Sequence, residues 1–479
     1  MLLSFLLLAL GVCAFAAEPF LVEPYLQLGN APKLESKTEL TVLWHTADRD
    51  GAWSTEYRLD GKDEWVKAET KQLRRVAPGE PAPVETPAAP VPKAVGPIVR
   101  VAAHRVWGAV LRDLPNGKPL RYRISLDGNA VFEAAALSRK SASQDYRFVV
   151  TGDIAQGTAE QRAVAFHAYQ AKPDFVAVAG DIVYGRGLIS EYRTKFFPIY
   201  NADKPDAKVG APLLRSVPFI AAPGNHDVGG NNLGTNPDGL AYFLYWSQPL
   251  NGPVASVGAT QVLGPEANRG GFRHSAGEQF PRMANFSFDY GNAHWTVIDS
   301  NKYADWTADD LREWLKRDLA SAKSAKWRFV LFHHPGFNSS KAHFNDQWMR
   351  IVAPVFEEGK VDVVFAGHVH NYQRSFPLKF VPEPGAWRNE VKGALSLDKK
   401  YDGVKHTKPD GVIYLVTGAG GAKLYNPEQS GATDSWQSFT TKFVSNVNSF
   451  TLVDVDGGKA TFRQIDKAGN EVDRFVVSH

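Results

Sequence analysis

An all-β sandwich followed by a layered α/β domain is the fold class the sequence predicts, because the hydrophobic period changes once along the chain. From Glu18 to about Ala142, short runs alternate apolar and polar residues with a period of two. From Tyr146 onward, similar runs are interleaved with stretches that repeat every three to four residues, the rhythm of strands and helices in layers. The 479 residues suffice for two or three domains with ample core. Apolar residues make up 44% and charged residues 22%, which excludes wholesale disorder. With 54 Lys and Arg against 51 Asp and Glu, no basic tract marks a nucleic-acid scaffold.

The first residues, MLLSFLLLALGVCAFAA, form an apolar run of signal-peptide length, with Ala14, Ala16 and Ala17 offering a small-residue cleavage site. They predict a signal peptide over 1–17 and a secreted or periplasmic protein with no stable membrane span after cleavage. Cys13, the only cysteine, lies in that leader behind Val12, where lipid attachment would want a small residue. The mature chain therefore carries no thiol chemistry and no cysteine-linked dimer; other oligomers stay open. Strand runs follow at 38–46, 54–59, 104–114 and 119–126, punctuated by Asp60-Gly61 and Asn116-Gly117. The Leu114-Pro115 turn followed by Tyr122 resembles fibronectin type III modules, in which a tyrosine near a strand start braces the sandwich. This assigns 18–142 to a fibronectin type III-like β-sandwich. Seven prolines within 78–97 predict an extended loop between strands.

The second domain is placed at 146–479. Its strand candidates are RFVVT, DFVAVA, VPFIAA, WTVID, RFVLF, VDVVFA and VIYLVT, and its helix candidates AEQRAVAFHAYQA, DDLREWLKRDLASA and NDQWMRIVAPVFEEG. Hairpins around Asp456-Gly457 and Gly469-Asn470 close the chain. Residues 230–282, rich in Gly, Asn and Pro, read as a long insertion that overhangs the site and shapes access to it. Asn285 and Asn338 have glycan-acceptor spacing.

Five of the strands end in polar clusters: Gly152-Asp153, Gly180-Asp181, Gly224-Asn225-His226-Asp227, His333-His334 and Gly367-His368-Val369-His370. Ligands of open α/β sheets collect at the carboxyl ends of strands, so these clusters are predicted to meet in one crevice. A single Asp there can simply cap a helix; five clusters together cannot all be caps. The oxygen donors Asp153, Asp181 and Asn225, with the imidazoles of His333, His368 and His370 and no thiolate, suit first-row ions. They are too many for one tetrahedral zinc and about right for two ions sharing a carboxylate.

The ordered set GDIAQG, GDIVYG, GNHD, VLFHHP and GHVHNYQR resembles the metallophosphoesterase superfamily, and within it the purple acid phosphatases, because Tyr184 stands three residues after Asp181. The expected architecture is then an N-terminal all-β fibronectin type III-like sandwich followed by an α/β layered metallophosphoesterase domain. The resemblance implies Fe(III) on Asp153, Tyr184 and His370, a divalent ion (Zn, Fe or Mn) on Asn225, His333 and His368, and Asp181 as bridge. A phenol with a usual pKa of about 10 loses its proton readily only beside a strongly polarising ion, which agrees with the iron. It further implies an acid phosphatase that hydrolyses small phosphomonoesters, a hydroxide supplied by ions about 3.5–4 Å apart attacking phosphorus. His343, ten residues after His333, is the expected proton donor to the leaving group, and His226 the expected substrate-orienting histidine. Phosphodiester, nucleotide or phytate hydrolysis at the same site is the alternative; an inactive exported binding protein is disfavoured because all seven ligand positions are filled.

Some positions depart from the family pattern. Ala155 replaces a Gly, Asp227 and Gln373 replace Glu, and Ala342 stands where a further histidine can occur, so tuning and substrate contacts differ more than reaction class. His334 is expected to pack or support rather than ligate, Arg374 to form a structural ion pair, and His167, His274 and His294 to be core or surface groups. The tryptophans, among them Trp306, Trp314 and Trp348, read as packing residues.

Overall fold

In the computed structural model of the chain, residues 18–80, 100–253, 258–385 and 388–479 are described. The leader 1–17 with Cys13, and residues 81–97 of the proline-rich stretch, lie outside the described residues. No helix among the described residues is long and apolar enough to cross a membrane.

The alternating N-terminal runs form β1 (Val22–Gln27), β2 (Lys37–Ala47), β3 (Trp53–Leu59), β4 (Val66–Ala68), β5 (Thr70–Val76), β6 (His104–Pro115), β7 (Pro119–Leu126) and β8 (Asn129–Leu137). β1-β2-β6-β5 pack over β4-β3-β7-β8, with Leu40, Val42, Trp44, Leu111 and Ile124 between them. This is the predicted sandwich. β2 is buried on both faces for a reason: Leu40, Val42 and Trp44 fill the sandwich, while Leu43, between Thr41 and His45, points out and joins the core of the second domain. Tyr122 departs from the expected brace. Its hydroxyl donates to Arg215 O at 2.8 Å, tying the sandwich to the second domain, and the brace inside the sandwich is Tyr57, which donates to Arg112 O at 2.9 Å.

The second domain contains β9 (Tyr146–Thr151), β10 (Phe175–Val178), β11 (Asn201–Asp206), β12 (Gly210–Pro212), β13 (Phe219–Ala221), β14 (Phe286–Tyr290), β15 (Ala293–Val297), β16 (Trp327–Leu331), β17 (Val363–Ala366), β18 (Tyr372–Ser375), β19 (Leu378–Pro382), β20 (Gly393–Leu397), β21 (Ile413–Thr417), β22 (Thr440–Val444), β23 (Ser449–Asp456), β24 (Lys459–Asp466) and β25 (Glu471–Ser478). Instead of one open sheet there are two, facing each other. One runs β25-β24-β23-β9-β10-β13 and continues into the sandwich through β1; the other runs β14-β15-β16-β17-β21-β18-β22. The junction is a single parallel pairing, Gln27 with Phe219. Phe148, Phe175, Trp295, Phe329 and Phe365 fill the space between the sheets. Alternate residues of the same strands face outward, Val149 and Val176 beneath the helix Ala159–Gln170, Val330 and Val364 beneath the helix Asp309–Ser321. The outcome is four layers, helix, sheet, sheet, helix. β9, β10 and β13 are mutually parallel, as are β15, β16, β17 and β21, so the carboxyl ends within each set lie at one edge.

Two expectations change in detail. The helix read into NDQWMRIVAPVFEEG is a 3-10 turn over Trp348–Val352 followed by a helix over Ala353–Glu358. Pro354 has no N–H to offer the Arg350 carbonyl, so an unbroken α-helix cannot form there. The described part of the 230–282 insertion is not a loose overhang along its length: Tyr242, Phe243, Leu244, Tyr245 and Trp246 are buried, and Tyr242 donates to Ala221 O at 2.9 Å. Asn285 and Asn338 are buried as well, at 4% and 3% exposure, which closes both glycan-acceptor sequences.

Candidate metal centre

Asp153, Asp181 and His368 each follow a strand end and each sits in the left-handed region, with φ of +59°, +49° and +66°. Such a backbone costs a non-glycine residue roughly 1–3 kcal/mol and recurs at functional sites, where it turns the side chain sharply out of the strand direction. Glycines let the strand ends approach. Gly180 has φ +76°, and a Cβ on it would lie 2.6 Å from His333 Nδ1.

Two groups of donors meet as a result. In one, the Tyr184 hydroxyl donates to Asp153 Oδ1 at 2.9 Å and lies 2.9 Å from His370 Nε2, itself 3.3 Å from Asp153 Oδ1. In the other, His333 Nε2 lies 3.1 Å from Asn225 Oδ1 and 3.3 Å from Asp181 Oδ1. Ligand atoms of Asp153, Asp181 and His333 all fall within 4.8 Å of one another, so the groups adjoin across Asp181. The His368 amide donates to Asp153 Oδ2 at 2.8 Å, and its ring lies 5.1 Å from that of His333.

The imidazoles are tied back by their far nitrogens. His333 Nδ1 donates to Ala179 O at 2.8 Å and His370 Nδ1 to Lys423 O at 2.6 Å. A carbonyl only accepts, so Nδ1 donates and Nε2 is the nitrogen that faces the cluster. Imidazole nitrogens, an amide oxygen and carboxylates converging at hydrogen-bond distance suit positive charge, a proton or a metal cation. The charge balance agrees. Burial opposes a proton on His333, yet the Asp181 carboxylate raises its pKa to about 9, so protein groups alone draw positive charge to this point. Burial also opposes ionisation of Asp181, but the charge and hydrogen bond of His333 hold that carboxyl well below the ordinary range. Burial, reinforced by Asp153 and Asp181, pushes the Tyr184 phenol well above its usual value.

Residues 146–372 match the calcineurin-like phosphoesterase family. The chain is 26% identical over 265 residues to Purple acid phosphatase 23 of Arabidopsis thaliana, covering 51% of this chain and 50% of that protein. It is 26% identical over 425 residues to an uncharacterized protein of Mycobacterium tuberculosis, covering 83% of this chain and 69% of the other. The structure of purple acid phosphatase PPD1 from yellow lupin (Lupinus luteus) seeds shares the fold, with a TM-score of 0.61 at 17% identity over 95% of this chain and 74% of that one. Residues 146–372 thus form a calcineurin-like phosphoesterase domain, and the chain is similar to purple acid phosphatases.

All nine candidate site residues lie together around this domain's strand ends. His226 Nδ1 donates to Gly185 O at 2.7 Å, its Nε2 is 3.9 Å from Asp181 Oδ2, and its ring is 4.5 Å from that of Tyr184. The His343 ring lies 4.1 Å from that of His368. Three neighbours escaped sequence reasoning. Ser300 Oγ accepts the amides of His333 and His334, at 3.1 and 2.8 Å, and so sets the HHP segment. Tyr425 stacks on His370 with ring centroids 4.1 Å apart. Asp346 bonds to both His343 and His368. Only Asp346 left a trace in the sequence, three residues after His343.

The departures act around the centre. Ala155 keeps an ordinary backbone, its N–H donating to Ile182 O, so the turn needs no glycine. Asp227 accepts from the amides of Ile182 and Gly224 at 3.0 and 2.8 Å and staples the Asn225 loop to the Asp181 loop. Gln373 donates to Asn338 and Asn371 and accepts from Ser339 N at 2.7 Å, pinning the loop before His343. Ala342 offers only its backbone, donating to Asn426 Oδ1 at 2.9 Å. His334 is buried against Trp348, with Nδ1 3.0 Å from Ser300 Oγ. Arg374 forms a two-pronged ion pair with Asp473 at 2.8 and 3.1 Å. His294 is clamped between Asp289 and Asp318; burial works against its charge, but the two carboxylates raise its pKa to about 9.

Proposed function

We propose that the chain hydrolyses small phosphate monoesters, with Asp153, Tyr184 and His370 holding Fe(III), Asn225, His333 and His368 holding a divalent ion (Zn, Fe or Mn), and Asp181 shared between them. The observation that carries this reading is the convergence of six buried donors and the half-buried Asn225, with the imidazoles tied back by their far nitrogens. The Tyr184 phenol, 2.9 Å from both Asp153 Oδ1 and His370 Nε2, supports a strongly polarising ion in one position, because a phenol with a usual pKa of about 10 loses its proton readily only beside one. When bound, two such ions acidify a water and offset charge on the phosphoryl oxygens.

The protein's own groups do the rest. His226, with Nδ1 fixed on Gly185 O, presents Nε2 beside Asp181, where it can donate to a phosphoryl oxygen and orient the ester. His343, half-buried and bonded through Nδ1 to Asp346, presents Nε2 for donation of a proton to the departing oxygen. Sequence supports a secreted or periplasmic setting, through the leader at 1–17, and the family an acidic optimum. Parallel assays of the metal-loaded protein on p-nitrophenyl phosphate and bis(p-nitrophenyl) phosphate test the reading. The monoester should turn over faster, and a loaded protein that cleaves only the diester would contradict it.

A further inference from the structure

We infer that Asp346 is a positioning residue serving two histidines at once: it fixes the ring of His343 for proton donation and selects the nitrogen by which His368 meets an ion. The inference rests on the metal-dependent phosphatase reading above. Asp346 Oδ2 lies 3.0 Å from His343 Nδ1 and 3.3 Å from His368 Nε2. An ionised carboxylate only accepts hydrogen bonds, so both nitrogens carry their protons. For His368 this leaves Nδ1 as the lone pair for the ion, the reverse of His333 and His370, whose Nδ1 atoms are spent on carbonyls. For His343 it leaves Nε2 facing the site, with the ring 4.1 Å from that of His368 and 5.4 Å from that of Tyr425.

A simpler role would be local, since an Asp three residues after a His in a turn often just caps it. The Asp346 N–H does donate to His343 O, at 3.0 Å, and His343 has φ +57°. A local cap does not explain the other partners. The same carboxylate reaches His368 on the far side of the chain, and its second oxygen is 3.6 Å from Lys302 Nζ. Lys302 in turn lies over the face of Trp348, 4.7 Å from the ring centroid, and Trp348 donates to Ser300 O at 2.8 Å. The carboxylate is thus braced by the frame that sets the His333-His334 segment. One residue thereby links the acid to the divalent-ion half of the centre.

The test uses the purified full-length holoprotein and the variants Asp346→Ala, Asp346→Asn and His343→Ala, with zinc as the divalent probe. Zinc retention against a graded chelator and the ratio of kcat on an alkyl phosphate to kcat on p-nitrophenyl phosphate are measured for each. Asp346→Ala should lose zinc about 10–100-fold more readily while keeping its iron, and should lose rate most on the alkyl ester. Asp346→Asn, which keeps the shape and guards against misfolding, should shift both readouts the same way to a smaller degree. His343→Ala should change the ester ratio and leave zinc retention alone. Wild-type zinc retention together with a wild-type ester ratio in both Asp346 variants would overturn the inference. Failure of the underlying reading looks different, because the parent protein itself would then hold no ion pair and cleave neither ester.

Discussion

Tyr184 shows how far a single residue can be interpreted. Its place three residues after Asp181 marked it in the sequence, and its hydroxyl lies 2.9 Å from both Asp153 Oδ1 and His370 Nε2. If it ligates Fe(III), Tyr184→Phe should abolish the visible absorption band while elemental analysis still finds iron and the divalent ion; an unchanged spectrum would refute the assignment. His343 belongs to the same scale. If it is the proton donor, its removal as His343→Ala should slow alkyl phosphates about 10²–10⁴-fold and activated aryl phosphates far less, a difference read directly from paired kcat values. The seven proposed ligands were legible because each stands at or just beyond the end of an apolar run, where the fold must turn. Ser300, Tyr425 and Asp346 were not, because what recruits them is a neighbour more than twenty residues away: Ser300 to His333, Tyr425 to His370, Asp346 to His368.

At the scale of elements, apolar runs located strands well and their pairing poorly. RFVVT and DFVAVA are apolar on both faces, and such a run fits one sheet between two helix layers as well as two sheets face to face; the aromatic ring pair Phe148 and Trp295, 5.0 Å apart across the gap, decides for the latter. Helices were legible where apolar spacing ran unbroken, as at Asp309–Ser321, and failed where Pro354 interrupts it. The two sheets are also latched by side chains. Arg374 on β18 holds Asp473 on β25 with both groups nearly enclosed, at 12% and 8% exposure, and stacks over Phe475. Arg374→Ala leaves the enclosed carboxylate with the Tyr372 hydroxyl, which donates to it at 2.8 Å, but no counter-charge, so urea unfolding should show a loss of about 3–5 kcal/mol without change in bound metal. A loss under about 0.5 kcal/mol, the range of ordinary surface changes, would place the latch among exposed pairs of little weight.

For the whole molecule, the boundary near residues 142–146 was legible as a change of period, yet the two halves are not independent bodies. β1 extends the sheet that carries β9, β10 and β13, and a polar seam lies behind it. His45 Nε2 donates to Tyr25 at 2.9 Å, whose hydroxyl donates to Tyr245 O; Tyr245 donates to His104 Nε2 at 2.8 Å, and His104 Nδ1 to Ala102 O. His104 must be neutral to accept from Tyr245, and a proton on His45 Nδ1 would find no hydrogen-bond partner. Burial first, then Arg193 nearby, lowers the His104 pKa to about 3, and burial with His104, Arg193 and Arg74 lowers that of His45 well below its usual value. The unfolded chain, with histidine pKa of about 6.5, takes up those protons first, so the seam's stability is complete above that pH and is lost as pH falls toward 3. Thermal unfolding should therefore show a midpoint that drops with acid, and His104→Gln should flatten the drop while lowering the neutral-pH value; an equally steep acid slope in that variant would contradict the assignment. The central claim concerns the paired ions, and metal analysis of wild type beside Asp181→Asn tests it most directly. Two ions per wild-type chain, with loss of metal and activity together in the variant, is the predicted result; an Asp181→Asn protein that keeps both ions and full turnover would contradict it.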